Sequence, residues 1–420
     1  MSTSRPKPNE ISKEVVWQAF RKVKANHGAA GVDGESIEEF EKDLKGNLYK
    51  LWNRMSSGSY LPPPVRMVEI PKPGGRGVRV LGVPTVADRV AQTVVALYME
   101  PDVEPLFHAD SYGYRPGRSA LQAVGVCRQR CWQRDWVIDL DIKAFFDNLD
   151  HELVLRAVSH HTDRRWIHLY VQRWLVAPLQ REDGTLVARD RGSPQGSAVS
   201  PLLANLFMHY AFDAWMARTF PTIWFERYVD DAVVHCKSEG QARHVLQRIT
   251  ERLAHCKLEV HPAKTKIVYC KDGQRLGSCE NERFDFLGYT FRPRSVRKQG
   301  HGAVPFVGFC PAVSDDARKT ISRTIRRWRL HLRSGSTLEA IARAINPIVR
   351  GWSNYYGRYY PSMLSSVLDH INAYLVRWAQ RKFKRLRRHT WRAWRLITRI
   401  ARRDPQLFVH WALGVRPTAG

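Results

Sequence analysis

Three aspartates stand where acids are unexpected. The stretch "RYVDDAVV", Arg227 to Val234, sets Asp230 beside Asp231 inside a run that otherwise reads as a buried strand. The stretch "WVIDLDI", Trp136 to Ile142, carries Asp141 near the end of a second such run, with Asp139 two residues earlier. Adjacent carboxylates repel. A fold accepts them at a solvated turn, where Asp is common, or against a cation. If the two strands are neighbours in one sheet, Asp141, Asp230 and Asp231 meet at their ends. Two or three converging carboxylates bind hard divalent ions, Mg²⁺ above all, and a pair of such ions clamps the attacking and leaving oxygens of a phosphoryl transfer. Strand alternation puts Asp139 and Asp141 on one face, so the pattern alone does not choose between them. Asp147 and Asp150 read as turn or capping residues, with Asp150 placed to cap the next helix.

Other residues suit a triphosphate. Lys72 and Arg79 flank the turn "KPGGRG" of a hairpin running from Tyr60 to Pro84, and paired cations there fit phosphate oxygens. "GSPQGSAVSPLLANL", Gly192 to Leu206, is a Gly/Ser loop entering an apolar helix, where Gln195 can meet a base or sugar edge. Taken singly, these are ordinary loop features. The seven cysteines, Cys127, Cys131, Cys236, Cys256, Cys270, Cys279 and Cys310, form no zinc spacing and no disulfide framework. They read as reduced thiols of a cytoplasmic protein.

The elements that must hold these residues follow from periodicity and turn chemistry. The first 60 residues read as helices around the loop "NHGAAGVDG", Asn26 to Gly34, and Thr85 to Glu100 reads as a helix. "WFERYVDDAVVHC" reads as a hairpin with the Asp pair at its tip, and "FDFLGYTF", Phe284 to Phe291, as one strand. Beyond residue 315 the chain turns helical: Ile321, Ile325, Trp328 and Leu332 share a face, as do Leu368, Ile371, Leu375 and Trp378. Ser336 and Glu339 suggest a capping box.

Composition names the partner class. The 420 residues hold 67 Lys and Arg against 40 Asp and Glu, a net charge of +27. Between residues 317 and 403 there are 19 Arg and 3 Lys, and the acids are Glu339 and Asp369. Such bias calls for a polyanion. No apolar run approaches the ~20 residues of a membrane span, and the first ten residues lack the apolar core of a secretory signal.

The order of the blocks is the specific feature. "IPKPGGRGVRVLGVP", "SYGYRPGRSA", "DLDIKAFFDNLDH", "GSPQGSAVSPLLANL", "RYVDDAVV", "LEVHPAKTK" and "FDFLGYTF" closely resemble the serial blocks of reverse transcriptases, within them the group II intron-encoded branch. "INPIVRGWSNYYG", Ile345 to Gly357, resembles the thumb, or maturase X, segment of that branch. The resemblance covers about residues 15 to 385.

It implies a right-hand polymerase, α/β plus all-α: fingers and palm of antiparallel sheet with helices, then a three-helix thumb. The implied boundaries are an N-terminal extension over 1–65, fingers and palm over 66–310, a thumb over 311–385 and a basic tail over 386–420. It selects Asp141 over Asp139 as metal ligand, with Asp230 and Asp231, for two Mg²⁺ ions or Mn²⁺ in their place. Phe146 falls at the steric gate against a ribose 2′-OH. Lys72 and Arg79 match the triphosphate contacts, and Gln195 the nucleotide pocket. Arg115 and Arg118 match a block on the template side, and Lys264 a block near the palm. The loop from Asn26 to Gly34 resembles one that lies over the template. Val229 stands where the family usually has Ala, and by resemblance faces the primer end and the incoming nucleotide. The chain ends without the Cys-paired endonuclease domain of some intron proteins, which fits a compact class.

The implied activity is RNA-directed DNA polymerisation on an RNA template from a DNA or RNA primer with dNTPs. Two alternatives stand beside it: a splicing maturase that binds its intron RNA, and an intron-free polymerase with a host task such as DNA repair synthesis.

Overall fold

The computed structural model describes residues 10–71, 77–296 and 304–418. The chain forms two compact units, and neither is one continuous stretch. The first comprises Met1–Ser119, Leu140–Val234 and Gly240–Thr265; the second Ala120–Asp139, His235–Glu239 and Lys266–Gly420.

The first unit opens with helices Lys13–Ala25, Ile37–Lys42 and Leu44–Ser56. Ser12 caps the first, Ser36 and Glu39 form a reciprocal capping box on the second, and Asp43 caps the third. The expected hairpin follows, Val65–Pro71 against Val78–Val83, with Ile70 opposite Arg79. Its central helix, Val86–Val103, starts at the cap Thr85 and is buried almost all round through its first three turns. Further helices are His151–Ser159, capped by Asp150 as expected, Arg165–Val176, Ser200–Met208 and Glu239–His255. Between Met208 and the short helix Ala214–Thr219, the backbone widens into a π-turn, His209–Asp213. The hairpin Trp224–Tyr228 and Asp231–Cys236 carries the Asp pair at its turn, as its sequence implied.

The strand Trp136–Leu140, all but Leu140 in the second unit, runs antiparallel to Lys266–Tyr269, Trp136 opposite Tyr269 and Asp139 opposite Lys266. "FDFLGYTF" is two strands rather than one. Phe284–Phe286 turns back on Tyr289–Val296 through Leu287 and Gly288, both at positive φ. Glycine makes that two-residue turn accessible. The second strand pairs with Phe306–Val313.

Helices Asp315–Arg327, Leu338–Tyr356 and Pro361–Lys382 follow. The first stops short of the expected face, because Arg329 adopts φ 47° and ends the turn. Ile321 and Ile325 are buried, whereas Leu332 is 49% exposed. The cap of the next helix is Thr337, one residue past the expected Ser336, and its hydroxyl accepts from the Ala340 amide.

Two expected boundaries shift. Residues 266–310 belong with the helices that follow them, because Tyr289 hydrogen-bonds the Tyr355 carbonyl and packs on Tyr355, Tyr356 and Tyr359. Residues 386–418 are not a tail. The helix Thr390–Arg403 places Ala393, Ile397 and Ala401 in the same core as Ile345, Leu368 and Leu375, and Phe408 and Trp411 join them. None of the seven cysteines forms a disulfide, and six of them are buried. Among the described residues, no helix is long and apolar enough to cross a membrane.

Candidate active site

Every described residue of this site lies in the first unit. Asp141 follows Leu140, the last residue of its strand. The Asp141 amide donates to the Thr265 hydroxyl, its carbonyl accepts from the His261 amide, and Ile142 bridges to Val260. The backbone on both sides of Asp141 is therefore fixed. Its carboxylate receives the Lys264 ammonium at 3.1 and 3.2 Å. Lys264, expected at a block near the palm, thus acts on a candidate metal ligand directly. Asp139, two residues earlier, lies opposite Lys266 in the sheet.

Asp230 sits at the hairpin turn. Burial raises its carboxyl pKa, the Asp141 charge raises it further, and its backbone hydrogen bond, Arg79 and Arg227 oppose the rise. Asp231 opens the returning strand. The oxygens of the three carboxylates do not all lie within 4.8 Å of one another. Asp141 and Asp230 are nevertheless electrostatic neighbours, and Arg79, exposed on its hairpin strand, acts on Asp230 and on Tyr114.

The expected nucleotide pocket is stitched by the backbone. The Ser193 amide donates to the Phe146 carbonyl at 2.7 Å, and the Gly82 amide to the Gln195 carbonyl at 2.8 Å. Phe146 lies in the turn Phe145–Asp147, which opens from Ala144 at φ 47°. Its ring meets that of buried Phe145 edge-on and stays half-exposed. The Phe146 turn, the Gln195 loop and the Arg79 strand are thereby joined.

Other expected residues depart from the reading. Lys72 lies outside the described residues. Arg115 is not available to a template. It is 9% exposed, and its guanidinium pairs with Glu104 at 2.8 Å and donates to the carbonyls of Glu104, His108 and Ser111. Arg118 is exposed, with its guanidinium 5.8 Å from the Tyr112 ring centre. Val229 does not present its side chain to a substrate. It is 4% exposed at φ 65°, and it fills the space a side chain at position 113 would take, where a β-carbon would sit 2.6 Å from its Cγ2. That requirement makes residue 113 a glycine.

Sequence reasoning missed two buried networks. Asp88 accepts from Tyr60 at 2.8 Å, Trp174 at 2.7 Å and Gln92 at 2.9 Å. The Gln92 side-chain oxygen then accepts from the Ser197 hydroxyl and the Ala198 amide, holding the Gln195 loop. Arg227 and Asp213, both fully buried, pair at 2.6 Å beneath the hairpin. For this pair the available signal was Asp213 within the apolar run "YAFDAWM" and Arg227 within "WFERYV".

Comparison with known proteins identifies the family. Residues 70–291 match the family described as "Reverse transcriptase (RNA-dependent DNA polymerase)", and residues 318–396 match "Group II intron, maturase-specific domain". Protein YkfC of Escherichia coli (strain K12) is 29% identical over 369 residues, 77% of this chain and 91% of that protein. Group II intron-encoded protein LtrA of Lactococcus lactis subsp. cremoris is 29% identical over 198 residues, 47% of this chain. The match spans only 32% of LtrA. With the first match covering more than half its length and the second following in order, the chain belongs to the reverse transcriptase family of RNA-directed DNA polymerases, in its group II intron branch.

Proposed function

We propose that the chain extends a primer 3′-OH with dNTPs copied from an RNA template, using two Mg²⁺ ions held by Asp141, Asp230 and Asp231. The observation that carries this reading is Asp230 at a hairpin turn, under the charge of Asp141 and within reach of the Arg79 charge. The donor set fits the ion, because carboxylate oxygens suit hard cations and a raised carboxyl pKa marks a group that gains from one. When bound, the ions neutralise phosphate charge and activate the 3′-OH. The chain supplies position and charge, which is most of what phosphoryl transfer requires. Arg79, with Lys72, takes the triphosphate. Phe146 crowds the sugar, and the Gln195 loop lines the base. The first unit corresponds to fingers and palm, and the helices from Asp315 onward to the thumb.

A maturase role is favoured by one further observation. Arg392, Arg395, Arg399 and Arg402 recur at helical spacing on Thr390–Arg403, all exposed, beside Trp391 at 55% exposure. That face suits intron RNA, its arginines on phosphates and its indole on an unpaired base.

Asp141→Asn and Asp230→Asn should each abolish RNA-templated primer extension while leaving primer–template affinity nearly intact. That affinity should instead fall steeply with salt. Extension at near wild-type rate by either variant removes that residue from the site.

A further inference from the structure

Arg227 is wholly buried, yet every one of its five N–H donors has an acceptor. Nε and Nη2 grip the two Asp213 oxygens at 2.7 and 2.6 Å. Nη2 also donates to the Ser111 hydroxyl at 2.8 Å, and Nη1 to Asn205 Oδ1 at 3.2 Å. The remaining bond, from Nη1 to the Val229 carbonyl at 2.7 Å, bears on the chemistry. That carbonyl belongs to the peptide group that enters Asp230, so the bond fixes the plane from which the carboxylate projects.

The fixed residue is a costly one. Val229 has φ 65°, where a β-branched side chain is an outlier. Such a conformation persists only when its surroundings over-determine it. Here they do: Arg227 holds the carbonyl, and Gly113 leaves room for the side chain. Asp213 reaches Arg227 from the π-turn His209–Asp213, the kind of helix bulge that recurs at functional sites.

The same residue ties in a second turn. The Arg227 amide donates to the Asp110 carbonyl, the Tyr112 amide to the Arg227 carbonyl, and Asn205 Nδ2 to the Gly113 carbonyl. Tyr114, the next residue, is 60% exposed at φ 54°, with its ring 6.4 Å from that of Tyr228. Stability alone does not account for this device, since a buried ion pair gives little net stabilisation over apolar residues of similar volume.

We infer that Arg227, braced by Asp213, is a positioning residue for the polymerase reaction: it holds the strained Val229 peptide so that Asp230 is aimed at its metal. This rests on the reading of Asp230 as a metal ligand. Lysine cannot replace the guanidinium, because its single ammonium lacks the fork that meets five acceptors at once.

The full-length double variant Arg227→Met with Asp213→Leu removes both charges at similar volume. It should stay folded with a lowered melting temperature, because the Val229 carbonyl, Asn205 Oδ1 and the Ser111 hydroxyl lose their donor, and should keep its primer–template affinity. Its kcat should fall roughly 100-fold, as for a small misplacement of a reacting group, and the Mg²⁺ concentration for half-maximal rate should rise. A folded double variant with wild-type kcat and Mg²⁺ dependence overturns the proposal. The second test is a cycle with Val229→Gly. Glycine adopts positive φ without the penalty that Val pays, so it should restore roughly tenfold of the rate lost in Arg227→Lys. Simple multiplication of the two single effects makes Arg227 a structural residue only, and overturns the proposal. So does failure of these variants to fold. Asp230→Asn separates the two readings: an active Asp230→Asn sinks the metal assignment itself, whereas an inactive one beside indifferent Arg227 variants sinks only the positioning role.

Discussion

Asp230 is the residue whose chemistry is most exposed to test. Its carboxyl pKa is raised chiefly by burial, then by the Asp141 charge. A raised pKa means that protonation competes with metal at a higher pH than an ordinary carboxylate allows. Acidification should therefore slow primer extension by weakening metal binding, and added Mg²⁺ should move that acid limb to lower pH. The sign for stability agrees. The folded state without metal favours the protonated Asp230, so this group's contribution falls as pH rises above the ordinary carboxylate value. Mg²⁺ should then raise the melting temperature more at neutral than at acid pH, and an equal gain at both would remove Asp230 from the ligand set. Phe146 offers a separate measurement at this scale. Its half-exposed ring should crowd a 2′-OH, so Phe146→Ala should raise rNTP use relative to dNTP in a competition assay. Unchanged discrimination places the gate elsewhere. Val229 shows how a residue can be found by type and misread by direction. Its departure from the family's usual Ala is plain in the sequence, but its buried side chain and its positive φ are set by Gly113 and Arg227.

The elements that shape the pocket depend on polar groups inside them. In the helix Val86–Val103, the Asp88 pKa is raised to about 6 by burial, against the opposing hydrogen bonds of Trp174, Tyr60 and Gln92. Because the folded pKa is the higher one, this carboxyl's contribution to stability is fully present below its ordinary value of 3.8 and is lost as pH rises to about 6. The loss amounts to about 3 kcal/mol at 1.36 kcal/mol per pH unit. Asp88→Asn removes that pH dependence but sets an amide NH₂ against the Gln92 NH₂. Turning Gln92 over would only move the conflict to Ser197 and Ala198, whose donors need its oxygen. A buried donor left unmatched costs about 1–3 kcal/mol. The variant should accordingly show a raised KM for dNTP, through the Gln195 loop, with unchanged primer–template affinity. An unaltered KM would detach this network from the pocket. Asp88 and Gln92 are one helical turn apart in the sequence, but nothing local says that Tyr60, Trp174 and Ser197 come to meet them.

For the whole molecule, the informative region is the C-terminal one. A basic stretch that merely binds RNA can be removed at no cost to the fold, but this one shares a core with the helices before it. Asn346 bonds both Leu407 and Val409, while Asn372 accepts from His410 and Trp411. Deleting residues 386–420 should lower the melting temperature sharply and expose apolar surface, since single large-to-Ala changes at positions such as Phe408 and Trp411 cost about 3–5 kcal/mol. A truncated chain that melts like the full one, with weaker RNA binding alone, would restore the reading of a tail. What the sequence by itself determined is what short-range physics encodes. The Asp230–Asp231 pair at a hairpin turn, the hairpin between Val65 and Val83, the cap at Asp150 and the basic character beyond residue 315 all follow from local turn chemistry, periodicity and charge count, whereas the choice of Asp141 over Asp139 came from the resemblance and not from the pattern. The tertiary structure alone decided where buried charges find partners. It took Arg115 away from the template side to Glu104, turned Lys264 onto Asp141, set Arg227 under the Val229 peptide and folded residues 386–418 into a core. The reason is that a guanidinium, an ammonium or an indole carries the same letter whether it meets solvent, an acid or a distant carbonyl. Only the approach of segments remote in the chain determines which of these it meets.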